Sequence, residues 1–322
     1  YTLSLHDALP ISEALAELMV GRKVLLNVDK TPARPGAPVL EVRDLHLIDH
    51  EGVERLRGIS FDIRAGEILG IAGVSGNGQT QLLELLGGYP EKGARVSGAI
   101  RMNGEALDLT GAGSDARTRR RRGIGHVPED RQTEGLIMDF TAWENIAFGY
   151  HDKAEYQKGW LMDNDAIRRD AKKYMEDFDC RPRNCDLAAR DFSGGNQQKL
   201  VVARELERNP DLLLIGQPTR GVDVGAIEFI HKRIIELRDA GKAVLLVSVE
   251  LDEILSLSDR IAVMFDGRIM GERLPDQTTT GELGLLMAGV TDTEHHAAED
   301  GIPPEHRHVD DLPDETANGG PR

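Results

Sequence analysis

The chemistry-bearing residues of this chain cluster in a few short segments. Gly73-Val74-Ser75-Gly76-Asn77-Gly78-Gln79-Thr80 has the spacing G-x-x-x-x-G-K-[ST], with Gln79 in the place of the lysine. It follows a strand-like apolar run, Glu67 to Ala72, and precedes a helix-like run, Thr80 to Leu86, the context that makes such a loop credible. The backbone N–H groups around Gly73, Ser75, Gly76, Asn77 and Gly78, together with the helix N-terminus, can cradle phosphate oxygens. Thr80 keeps a hydroxyl suited to touching Mg2+. Gln79 can donate a neutral hydrogen bond but cannot supply the positive charge that offsets a phosphate chain.

Further along comes Phe192-Ser193-Gly194-Gly195-Asn196-Gln197-Gln198-Lys199, glycine-rich and intact. Ser and Gly at a helix start form a second anion site through their backbone groups. Then an apolar strand, Leu212 to Ile215, ends in Gly216-Gln217, where a phosphate-hydrolysing site would carry Asp-Glu. The scaffold for handling phosphate is present and its charged side chains are missing.

Positioning these segments calls for strands alternating with helices and hence a largely parallel sheet, an α/β fold. Core strands are expected at Glu67–Ala72, Gly123–Pro128, Leu212–Ile215 and Ala243–Ser248, with helices over Val224–Ala240, Glu250–Leu257 and Glu282–Ala288. Val39 to Phe61 alternates apolar and polar residues, as in antiparallel strands, and Ser97 to Gly104 reads as a hairpin arm. Arg260–Phe265 and Arg268–Glu272 form a hairpin across Asp266-Gly267. Thr141 to about Arg208 reads as mostly helical, a second lobe inserted between the glycine loop and the core strand. Glu13 to Gly21 reads as a short amphipathic helix and Thr31 to Pro38 as a proline-rich connector.

With these elements in place, the chain resembles the second, C-terminal nucleotide-binding half of a fused ABC importer ATPase of the sugar and nucleoside class. The resemblance covers nearly all of residues 13 to 289. Ser193-Gly194-Gly195-Asn196-Gln197 matches the family's signature motif, and Gln217 to Ala226, with Asp223, matches the segment around the D-loop. Glu129-Asp130-Arg131 sits at the Q-loop position, with Glu129 for the usual Gln. Ser248 to Glu253 covers the switch segment, with Val249 where a His would stand. Glu282 to Gly289 matches the family's ending, and the Gln217-Pro218 form is similar to the nucleoside-importer branch.

The resemblance implies a P-loop NTPase fold of the ABC-ATPase type, with a parallel core sheet, an antiparallel β arm and a helical subdomain at about 129–208. It implies ATP and Mg2+ as cofactors, with Gly73, Ser75 to Thr80 and Glu129 around the nucleotide and Thr80 a weak Mg2+ contact. The departures remove chemistry. Gly216 lacks the carboxylate that helps hold Mg2+, Gln217 lacks the group that polarises the attacking water, and Val249 cannot hydrogen-bond a γ-phosphate. With Gln79, that leaves no intact catalytic position. In this family the signature faces the γ-phosphate held by the opposite domain, so Ser193 to Gln197 are expected to act in trans on the N-terminal half of the parent chain. Trp143-Glu144-Asn145-Ile146 follows the Q-loop, where the family meets its membrane subunit; an ordinary amphipathic helix is the alternative. Expected partners are that N-terminal domain, transmembrane permease subunits and, indirectly, a substrate-binding protein, at the cytoplasmic face of the membrane.

Composition supports the exclusions. The net charge of −16 over 322 residues argues against nucleic acid as the main partner, because phosphate binding needs a basic footprint. The run Arg117 to Arg122 reads as a solvated helix face and not as a nucleic-acid patch. Cys180 and Cys185, at C-x4-C spacing without a second pair, read as reduced structural thiols. No apolar run approaches the ~18 residues of a membrane span. Residues 1–12 resemble translated adapter sequence and 13–37 a linker, with 38–289 the ABC domain. The acidic stretch 290–322 reads as disordered, its His295, His296, His306 and His308 as solvated and not metal-binding. Two other functions compete: a soluble ABC ATPase of translation or repair, and a nucleotide-binding module that only dimerises.

Overall fold

Alternation after Pro38 yields two long antiparallel strands, β1 (Pro38–Ile48) and β2 (Glu54–Arg64). The computed structural model describes residues 30–111 and 113–290. The expected helix at Glu13–Gly21, the adapter-like segment and the acidic stretch lie outside the described residues. The chain continues through β3 (Ile68–Ala72), α1 (Gln79–Gly87), β4 (Arg95–Met102), β5 (Glu105–Leu107), α2 (Ala116–Arg121) and β6 (Ile124–Val127). A π-helical turn, Arg131–Gly135, leads to α3 (Ala142–Ala147), the two-residue strands β7 (Gln157–Lys158) and β8 (Leu161–Met162), α4 (Asn164–Asp177) and α5 (Gly194–Leu206). Then follow β9 (Leu212–Gly216), α6 (Val224–Asp239), β10 (Ala243–Ser248), α7 (Leu251–Leu257), β11 (Arg260–Phe265), β12 (Arg268–Arg273) and α8 (Thr280–Met287).

A six-stranded sheet runs in the order β12-β11-β3-β10-β9-β6, and a four-stranded antiparallel sheet in the order β2-β1-β4-β5. In the larger sheet only the β11·β12 pair is antiparallel. The expected α/β fold, with parallel core and antiparallel arm, is the one observed.

The core strands are apolar at nearly every position because both faces are covered. Successive side chains point to opposite faces. Ile68, Leu213, Ile215, Val244 and Leu246 pack toward the helices. Leu69, Leu212, Leu214, Leu245 and Met264 pack toward the antiparallel sheet.

Two expectations change on inspection. Residues 141–208 are helical only in part, since 178–193 is mostly loop and 157–162 forms a small hairpin. The interruptions fall at Gly159 and at Pro182, neither of which suits a helix interior. The arginine run is also not a uniformly solvated face. Arg119 is 1% exposed and donates to the carbonyl of Asp108, while Arg121 and Arg122 pair with Asp152 and Glu105. Cys180 and Cys185 are free and buried, and burial pushes the Cys180 thiol up to about 12.

Candidate functional site

The glycine loop joins β3 to α1. Gly76 and Gly78 sit at φ of 93° and 103°, backbone that side chains rarely adopt. A Cβ on Gly78 would lie 2.5 Å from the carbonyl of Arg55, so the loop is seated against β2. Gly76, in contrast, faces open space. The loop therefore has one buttressed side and one side open to a ligand.

Gln79 is only 4% exposed. Its Nε2 donates to the carbonyl of Val74 at 3.2 Å, inside its own loop, and its Oε1 has no partner. Gln79 is thus a neutral amide turned back on its own loop. Thr80 Oγ1 donates to Glu129 Oε2 at 2.5 Å, which joins the start of α1 to the segment after β6.

Gly216 and Gln217 close the other side. A Cβ at 216 would lie 2.5 Å from Glu129 Cγ and 2.8 Å from Leu83 Cδ1. Gln217 adopts φ 46°, left-handed for a residue with a side chain, and such backbone concentrates at functional sites. Its N–H donates to Val247 O at 2.8 Å, and its Oε1 accepts from the Val249 N–H at 3.4 Å. Gln79, Thr80, Glu129, Gln217 and Val249 all line one cleft of about 1200 Å3.

The second glycine-rich segment lies at the start of α5. Ser193 precedes the helix in extended backbone, is exposed, and makes no side-chain cap to its own helix. Its Oγ instead accepts from Asn196 Nδ2 at 2.8 Å. The helix start is thus left without a capping side chain. Gln197 is buried and holds the preceding turn through the carbonyls of Ala189 and Phe192. Gly194 and Gly195 are both approached closely. A Cβ at 194 would lie 2.7 Å from an Arg131 guanidinium nitrogen, and one at 195 would lie 2.5 Å from Asp223 Oδ2.

Sequence reasoning placed Arg131 beside the Q-loop but gave it no role. Its guanidinium donates to the carbonyls of Arg220 and Gly221 at 2.6 and 3.3 Å, so it joins three motifs: the Glu129 segment, the Asp223 turn and the start of α5. Asn145 was read only as one residue of the segment expected to meet the membrane subunit, or of an ordinary amphipathic helix. Its amide accepts from Ile137 N and donates to the carbonyls of Ile137, Phe140 and Thr141. The signal for both is a polar residue that the helical or loop pattern does not need.

The electrostatics are acidic. Burial raises Glu84 to about 7, helped by Glu134 and Glu129. At Asp130 burial works against ionisation, but the N–H groups of Gln132 and Thr133 hold the carboxyl below its usual range. Among the described residues no group of three or more His, Cys, Asp or Glu could hold a metal ion. Thr80 and Glu129 offer a hydroxyl and a carboxylate, hard oxygen ligands. That fits Mg2+, which commonly takes one or two carboxylates and completes its shell with water and phosphate.

Residues 56–220 match the ABC transporter family model. The chain belongs to the ABC transporter family. The chain is 48% identical over 280 residues to the nucleoside import ATP-binding protein NupA of Lactococcus lactis, covering 86% of the chain and 54% of that relative. It is 47% identical over 294 residues to the guanosine import ATP-binding protein NupO of Bacillus subtilis, covering 91% and 56%. The chain spans about half the length of these curated relatives. Among solved structures, a nucleotide-free ATP-binding cassette from an ABC transporter matches with a TM-score of 0.62 at 22% identity, covering 79% of this chain and 96% of that one. At that identity the likeness is one of fold. No helix among the described residues is long and apolar enough to cross a membrane.

Proposed function

We propose that this chain is the second, degenerate nucleotide-binding domain of a fused ABC importer ATP-binding protein for nucleosides or simple sugars. In this reading residues 38–289 form the domain, 129–208 its helical lobe, and 13–37 the link to an N-terminal half. The domain cradles ATP with Mg2+ weakly through Gly73, Ser75 to Thr80 and Glu129. It does not turn the nucleotide over, because Gln79, Gly216, Gln217 and Val249 each lack a group the reaction uses. Its contribution is made in trans: Ser193 to Gln197, backed by Asp223, complete the site of the N-terminal half. The complex works with permease subunits at the cytoplasmic face of the membrane, a substrate-binding protein delivering the solute. The nucleoside and guanosine relatives favour nucleosides over sugars.

The observation that carries this reading is the contrast between the two anion sites. The glycine-loop site has neutral residues at its chemical positions, while α5 starts from an exposed serine and carries no capping side chain. A site built to serve its own domain would not keep only the part that faces outward. The test is Ser193→Arg in the full-length protein with its permease. A bulky side chain there holds the partner's phosphate off the helix start, so ATP hydrolysis stops while the melting temperature of this half is unchanged. Normal turnover by that variant would show that the signature does not act in trans.

A further inference from the structure

The segment 30–37 is fastened to the body at both of its ends. At the first, Arg238, whose side chain is fully buried, donates from Nη2 to the Thr31 carbonyl at 2.9 Å and from Nη1 to Asp259 Oδ1 at 2.8 Å. Lys30 donates to the Ser258 carbonyl and stands 3.8 Å from the same Asp259 oxygen. At the second, the Gly36 N–H donates to Ala65 O at 2.8 Å and the Ala65 N–H to Ala37 O at 3.0 Å. Pro32 and Pro35 fix φ between the two ends, so the segment is stiff and passes a displacement on. Asp259 also reaches the core. Its Oδ2 accepts from the Ile68 N–H at 2.9 Å, at the start of the strand that feeds the glycine loop. Arg238 lies in the last turn of α6, which starts at Asp223; Asp259 follows the end of α7, which starts two residues after Val249.

Side-chain ties span the seam between the unit that carries α6 and the unit that carries α7. Gln217 Oε1 accepts from the Val249 N–H at 3.4 Å at the cleft, His231 Nε2 lies 2.8 Å from Glu253 Oε1 midway, and Arg238 holds Asp259 at the far end. The middle tie is incomplete. His231 and Glu253 are buried, yet His231 Nδ1 and Glu253 Oε2 have no hydrogen-bond partner among the described residues. A buried polar atom without a partner raises the free energy, so the closed seam is held by its neighbours, and opening it to water would satisfy both atoms. Both residues line the cleft together with Gln217 and Val249, so the seam opens into the site. We propose that residues 30–31 are a latch: seated on Arg238 and Asp259 they hold α6 to α7, and the chain upstream of residue 30 thereby sets how firmly the cleft wall at residues 217–221 is fixed. The latch goes beyond the nucleotide role proposed above and does not depend on it.

The experiment is hydrogen–deuterium exchange of the 322-residue chain without nucleotide, read by mass spectrometry over residues 217–227 and 247–251, with α4 in the helical lobe as the internal control. Lys30→Glu sets a carboxylate against Asp259 and the Ser258 carbonyl and releases the strap. Exchange is expected to rise about three- to tenfold at 217–227 and 247–251 and to stay unchanged in α4. Lys30→Arg keeps the charge and the donors and is expected to match the parent. Arg34→Glu, an exposed change of charge on the same segment, is expected to match it too. No rise at 217–227 in Lys30→Glu overturns the latch, because the strap would then be attached without holding the cleft wall. An equal rise in α4 also overturns it, because the variant would be reporting lost global stability. No nucleotide enters the measurement, so either result leaves the nucleotide reading standing.

Discussion

The Arg131 guanidinium donates to the carbonyl of Arg220 at 2.6 Å, and this bond fastens the segment after Glu129 to the turn that leads to Asp223. Burial lowers the pKa of Arg131 and Asp130 beside it opposes the shift; an arginine stays charged in either case. Arg131→Ala removes the charge-assisted bond and unfills the space against Gly194. A net loss of about 1 kcal/mol is expected, part of the bond's strength being screened at a half-exposed position. That lowers the melting temperature by a few degrees. Hydrogen exchange at residues 219–223 reports the local effect, and unchanged exchange there would show that the tie is idle.

The purified chain alone is expected to have no ATPase activity above background. Four positions lack their chemical groups, and such losses are each worth orders of magnitude in rate. They are also non-additive, so one repair is not a partial cure. Gln79→Lys restores a charge but not a base or a cation-holding Asp, and no turnover is expected from it. Gly216→Asp alone collides with Glu129 and is expected to lower stability and not to raise activity. Steady turnover by the unmodified chain, abolished by Thr80→Ala, would contradict this.

The sequence was most legible where two faces of a strand are both buried. Leu212 to Ile215 and Ala243 to Ser248 can only be core strands, and both appear with nearly those bounds. The glycine loop was legible because strand, loop and helix agreed locally. The lobe between 141 and 208 was less so, because apolar residues there pack through loops as well as helices, Phe178 and Phe192 among them. Arg119 was misread for a different reason. A charged residue in a run of charges gives no sign that its partner is a backbone carbonyl at Asp108. At the site, residue types predicted what was missing at 216, but only the side-chain placement reveals that Glu129 fills that space.

Glu84 and His126 set opposite pH dependences. Glu84 is raised to about 7, chiefly by burial and then by Glu134 and Glu129. The folded chain holds that proton more tightly than the unfolded one, so its contribution is complete below about pH 4.5 and is lost as pH rises through 7. His126 is depressed to about 4, chiefly by burial, so its contribution is complete above about pH 6.5 and is lost as pH falls through 4. Glu84→Gln removes the first effect and keeps the second. The variant is expected to melt higher than the parent at pH 8 and equally at pH 4. Melting curves between those limits decide it; a constant offset across the range would mean Glu84 is not the titrating group.

The last expectation concerns Asp223 and Gly195. Asp223 Oδ1 accepts from the Ala226 N–H at 3.0 Å and caps α6, and loss of such a cap costs about 1 kcal/mol. Its Oδ2 occupies the space a side chain at 195 would need, at 2.5 Å. Gly195→Ala therefore forces the carboxylate out of place, and about 1–3 kcal/mol of overpacking is expected in the parent background. In Asp223→Ala the obstacle is gone, and the remaining neighbour, Ala226 Cβ, would stand at an ordinary 3.5 Å. There Ala in place of Gly within a helix is worth up to about 1 kcal/mol in its favour. The same substitution thus changes sign with its background, the pattern of two residues that share one space. Denaturant unfolding of the four proteins gives the coupling. Simple additivity would mean that the carboxylate swings aside freely and that Gly195 is not held to glycine by Asp223.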